Sequence, residues 1–223
     1  NITPNLPDPD EFLRHLFAGD YGDGEWVGSA TAGARAKASV SIRDQLFSTA
    51  PSEMPSVLKQ KFPNAVFSGF DNIGGMSSSD LARSMSRLAD LTDKYPILRN
   101  LGRIEISSSR NPLNAAETER PNHFQRMSPS EVVSRSAIRI FRTMDADALR
   151  EGMLDSIKYD WWHASSTIAA ADYVMTHEVA HILDAATAAK TRNQVSRLVK
   201  EVGDGRSGYG QRNSAEAVAE AFA

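Results

Sequence analysis

The chain has 223 residues, enough for one large domain or one domain with an appendage, and its 41% hydrophobic and 24% charged content is that of a folded globular protein. A formal net charge of -3 argues against a nucleic-acid partner, because a phosphate-binding surface needs a basic excess. With no cysteine there is no disulfide framework, no thiolate metal site and no cysteine nucleophile, and no apolar run approaches the ~18 residues of a membrane span.

The N-terminus carries no basic and apolar leader. It begins without Met, and Ala223 falls in what reads as a running helix, so a piece of a larger parent chain is expected. The compartment stays open. Residues 1–10 are rich in Pro and Asn and read as extended. Asp10 is the expected cap of a short helix over 11–18. A Gly-, Ala- and Ser-rich loop spans 19–34, and short helices are expected near 35–48 and 52–61. The turn-rich segment 67–75 (FSGFDNIGG) marks the expected boundary between an N-terminal helical appendage or prosegment, 1–75, and a second domain, 76–223.

Ser79 is the expected cap of a helix reaching about residue 93, with Leu81, Met85, Leu88 and Leu91 as its buried stripe. Pro96 ends that run. Residues 103–108 (RIEISS) and 137–143 (AIRIFRT) alternate apolar and polar, which predicts half-buried strands. A helix is expected from Asp145 to about Tyr159, a break at WWHASS, and a long helix from about 167 to 190.

That last helix carries the chemistry. Residues 176–184 read THEVAHILD, an HExxH pattern made by His177, Glu178 and His181. Four residues of helix turn about 400°, so both imidazoles share one face a turn apart and can bind one tetrahedral ion. Glu178 lies beside them, placed to reach a water at the metal without binding the metal itself. Met175, Val179, Ile182, Leu183 and Ala186 form an apolar stripe that would anchor the helix in the core. At this His and Glu content, chance yields only about 0.006 such motifs in the chain.

A catalytic zinc needs a third protein ligand and an open position. The metzincin pattern HExxHxxGxxH is excluded, because Asp184 stands at its Gly and Thr187 at its last His. The other histidines, His15, His123 and His163, are isolated, so a carboxylate from a following helix is the natural alternative. Asn213 can cap a helix with Ala217, Val218, Ala221 and Phe222 as its apolar face, leaving Glu216 and Glu220 together on the other. Read by themselves, Glu216 is equally well a capping-box Glu and Glu220 a solvated surface charge.

HEVAHILD at 177–184 followed by GYGQRNSAEAVAEAF at 208–222 resembles the catalytic domain of the anthrax lethal factor family, and related zinc-peptidase-like domains of bacterial toxins and phage proteins. The resemblance implies an α+β, zincin-like fold, mainly helical with a small mixed sheet and an active-site HExxH helix. It implies a zinc metallopeptidase-like domain over 76–223 that holds one Zn2+ and hydrolyses peptide bonds of a protein or peptide substrate. It makes Glu216 the third zinc ligand and Glu220 the acid that orients a metal-binding imidazole, that of His177. Tyr209 takes the place of the residue that stabilises the oxyanion. The residue before Tyr209 is Gly208 rather than Ser, and Val179-Ala180 replaces Phe-Gly, departures that leave the ligands intact but alter the groove.

The strand at 137–143 is read as a sheet edge along which an extended substrate pairs. Arg139 and Arg142 would then meet acidic substrate groups, although their reading as guards against edge-to-edge aggregation is favoured. His163 is a groove-lining candidate or a satisfied, partly buried histidine, and Trp161 and Trp162 read as core. Asp184 is a supporting partner of the site or a structural residue, since its place on the HExxH helix makes ligation together with both histidines awkward. The alternative function is a zinc-stabilised structural or interaction module without turnover, or with self-processing only.

Overall fold

The computed structural model describes residues 40–109, 114–142, 151, 169–187 and 213–222. The helices expected at 11–18 and 145–159, the WWHASS break, His163 and Tyr209 lie outside them, apart from Glu151. The chain divides into two compact units between Ser39 and Val40, and everything that follows concerns the second. The boundary expected at 75 therefore falls inside a compact unit. The reason is packing: the segment before it supplies both a sheet strand and a helix that rests on the core.

The short helices expected near 35–48 and 52–61 form as α1, Ile42–Ser48, and α2, Met54–Leu58, the latter entered through a 3-10 turn at Pro51–Glu53. Ser41 caps α1 by accepting from the Asp44 N–H at 3.1 Å. Leu46, Met54, Leu58 and Phe62 are fully buried, and α1 packs against the next long helix. Residues 67 and 68, read from sequence as the start of a turn-rich joint, instead lie in strand β1, Val66–Ser68. Gly69 ends it at φ 79°, where a Cβ would sit 1.9 Å from the Ile106 carbonyl oxygen, so only glycine fits.

Helix α3 spans Ser78–Lys94. Its cap is Ser77 rather than Ser79: in a run of three serines, Ser77 is the one whose hydroxyl accepts from the Asp80 N–H. The expected stripe of Leu81, Met85, Leu88 and Leu91 is buried. After a 3-10 turn at Pro96–Asn100 come β2, Arg103–Ser107, and then β3, Ala116–Glu119, which the sequence did not predict. Ser128 caps α4, Pro129–Ser134, which leads into β4, Ala137–Phe141. Beyond lie α5, Ala170–Ala186, and α6, Ser214–Phe222. The fold is α+β, helices with a small mixed sheet of four strands.

The sheet order is β1-β2-β4-β3, with β1, β2 and β4 parallel and β3 antiparallel to β4. The strand expected to be a sheet edge, β4, is therefore interior, and among the described residues β3 is the terminal strand beside it. Pairing order depends on distant segments, and the near-complete burial of β4 fits an inner strand. Register places Ile104, Ile106, Ile138, Ile140 and Thr118 on one face, toward the helices. Glu105, Arg139 and Glu117 line up across the other.

Candidate metal centre

The HExxH helix, α5, is buried on nearly every side, not only along the apolar stripe the sequence indicated. It is central: α6, α3, α4 and β3 all pack on it. A helix covered all round needs few charged positions, and those that remain need partners. Two of its polar side chains find them on α3, where Arg83 meets Asp172 at 3.2 Å and Arg87 donates to the Thr176 hydroxyl at 2.9 Å. These contacts fix the rotation of α5 one residue before His177.

Helix α6 brings the carboxylates. Asn213 is its cap, accepting from the Ala215 N–H at 2.9 Å and the Glu216 N–H at 3.0 Å. The Glu216 side chain turns to α5. One of its oxygens lies 3.1 Å from His177 Nε2 and 3.4 Å from His181 Nε2. Donor atoms of His177, His181 and Glu216 all fall within 4.8 Å of one another. Arms of about 2.05 Å at tetrahedral angles separate ligand atoms by about 3.3 Å, so both carboxylate–imidazole spacings match a zinc tetrahedron. Two imidazoles and a carboxylate also suit that ion chemically. Glu178, between the histidines in sequence, is buried beside them.

Glu220, one turn after Glu216, is not a solvated charge. Its side chain is 6% exposed and Oε1 lies 3.2 Å from His177 Nδ1, on the far side of that ring from Glu216. A carboxylate there fixes the ring and leaves Nε2 for the metal. Tyr173 donates its hydroxyl to the same Glu220 oxygen.

The charges are strongly coupled. Burial pulls the His177 imidazole down, but hydrogen bonds to Glu216 and Glu220, with the charges of Glu178 and Glu220, outweigh it and lift its pKa to about 9. Burial raises the Glu216 carboxyl. The hydrogen bonds and charges of both histidines outweigh that and hold it well below the usual carboxylate range. The two shifts together favour a protonated imidazole beside an ionised carboxylate.

One contact ties the sheet to this site. The Thr118 hydroxyl on β3 donates to the Glu178 backbone carbonyl at 2.7 Å, so the terminal strand runs beside the HExxH helix at the position of the expected base. Neither Thr118 nor Tyr173 was foreseen. Tyr173 stands four residues before His177, the spacing that puts two side chains on one helix face, and that was the available signal.

The remaining expected residues fall elsewhere. Asp184 is buried on α5 and is not among the three clustered donors. Arg139 pairs with Glu105 at 3.3 Å, Glu117 at 2.9 Å and Glu119 at 2.5 Å, on the sheet face away from α5. Hydrogen bonding to Glu117, larger than the opposing effect of burial, raises its pKa further. A cavity of about 470 Å³ lies on that same face, lined in part by Glu105, Glu117, Arg139 and Phe141 and by none of the clustered donors. Arg142 donates to the Asn72 carbonyl at 2.7 Å. Among the described residues no helix is long and apolar enough to cross a membrane. Comparison with known protein families, characterised proteins and solved structures found no match.

Proposed function

We propose that the chain is a zinc-dependent endopeptidase, of the gluzincin type that the HExxH and C-terminal blocks resemble, in a toxin, effector or phage setting. The observation that carries this reading is the convergence of His177, His181 and Glu216 on one point, with Glu178 buried at its side. When bound, zinc polarises a carbonyl and acidifies water.

The residues of the chain divide the rest. His177, His181 and Glu216 hold the ion, and Glu220 keeps the His177 ring turned toward it. Glu178 takes the proton of the attacking water and delivers it to the departing amine as the C–N bond breaks. Tyr209, assigned by resemblance alone, donates to the developing oxyanion. The substrate strand is assigned to β3 rather than β4. It ends the sheet among the described residues, and its Thr118 bond keeps it beside Glu178.

The test is metal analysis of the purified chain together with cleavage of a mixed peptide library by wild type and Glu178→Gln. One zinc per chain in both, with cleavage in wild type only, supports the peptidase. Zinc in both with no cleavage in either points to the structural or self-processing module. No zinc in wild type sinks both readings.

A further inference from the structure

We infer that Tyr173 is a positioning residue: its hydroxyl holds the Glu220 carboxylate against His177 Nδ1 and so sets the angle at which this imidazole faces the metal. The inference rests on the metal reading above and extends it one bond outward.

The geometry is a three-member chain. Tyr173 and His177 lie on one face of α5, with ring centres 6.2 Å apart and planes tilted by 37°. Glu220 reaches in from α6. Its Oε1 accepts the Tyr173 hydroxyl and stands 3.2 Å from His177 Nδ1. A Glu side chain has several rotatable bonds, and a single contact to an imidazole leaves its carboxylate free to swing. A second donor on the same oxygen removes that freedom. Tyr173 is itself 2% exposed, so its ring has no room to follow a moving carboxylate. Two residues from the rigid helix α5 therefore grip one oxygen from α6, and the helix pair is held at the site as well as by packing.

A buried tyrosine that merely filled space would keep its role as phenylalanine. A positioning tyrosine would not, and its loss would be felt only while Glu220 is present. The first measurement is the His177 ring nitrogen spectrum of the metal-free chain. In wild type a slowly exchanging Nδ1–H, bonded to Glu220, is expected. In Tyr173→Phe that signal broadens or shifts toward the solvent-exchanged position. An unchanged signal overturns the inference whether or not the chain binds zinc.

The second measurement is zinc affinity by competition with a chelator. Removing an outer partner of a ligand costs 10–100-fold in affinity, and one bond further out about 3- to 10-fold is expected for Tyr173→Phe. In a Glu220→Ala background, where no side-chain oxygen remains for the tyrosine, the same change should cost nothing more. Equal losses in both backgrounds would make Tyr173 a packing residue. If wild type binds no zinc while the His177 signal still responds to Tyr173→Phe, the metal reading fails and the hydrogen-bonded positioning stands.

Discussion

The two sides of the sheet each gather cationic side chains with several carboxylates, and of the two clusters only the one on the helix side carries the donor set of the proposed metal site. On the outer face, the Arg139 guanidinium meets Glu105, Glu117 and Glu119. Arginine does not give up its proton in a protein, so these carboxylates are locked to a permanent cation. On the helix side, His177 meets Glu216 and Glu220 in a buried setting. An imidazole, unlike a guanidinium, can shed its proton and then offers a lone pair. The difference lies in the cation. Arg139 makes a fastener between three strands, whereas His177, under the proposed reading, exchanges a proton for an ion.

Substitutions at the two clusters should separate them, and the largest effect is expected at Glu216. Glu216→Ala should leave no stoichiometric zinc after dialysis, while Glu178→Ala keeps it, as read by metal analysis. Equal retention would remove Glu216 from the donor set. Next is pH. Zinc must displace the proton of His177, so affinity should climb by up to about tenfold per pH unit between roughly 6.5 and 9, with proton release visible in calorimetry in different buffers. A flat profile would mean that His177 is already neutral.

The same proton sets the stability of the metal-free chain. The folded pKa of His177, about 9, lies above its ordinary value. Its stabilising share is thus complete below about pH 6.5 and lost as pH rises through 9. Glu216 is shifted the other way, so its share is present above about pH 4.5 and lost as pH falls further. Thermal melts of metal-free protein should give the highest contribution from this pair between those limits.

Glu220→Ala should weaken zinc about 10-fold or more, without touching the donor atoms. Arg139→Ala should do least: about 1 kcal/mol of stability, as expected for partly exposed ion pairs, and no change in zinc affinity. A loss of zinc on changing Arg139 would join the two clusters that the sheet otherwise keeps apart.

What could be read from sequence follows the range of the forces involved. Helix α3 and the imidazole pair of α5 follow from local periodicity. The Asn213 cap is equally local, and it places Glu216 and Glu220 a turn apart. Strand β3 reads AETE, with no apolar alternation and poor strand formers. It holds its place through the β4 ladder and through Glu117 and Glu119 on Arg139, contacts between segments distant in sequence. The three residues of β1 leave Val66 exposed and so gave no buried pattern. The interior place of β4 depends on β3 and could not be seen without it. The role of Tyr173 depends on a partner 47 residues away on another helix.

The hydroxyl of Thr118 grips the carbonyl of Glu178, so strand β3 and the helix share a fixed reference point. An extended peptide laid along β3 under the proposed reading would be measured against that point as on a ruler. A slip of one residue would turn its side chains to the opposite face, whereas a slip of two, about 6.7 Å, would restore both hydrogen bonding and facing. Cleavage positions in one bound peptide should therefore recur with a spacing of two residues.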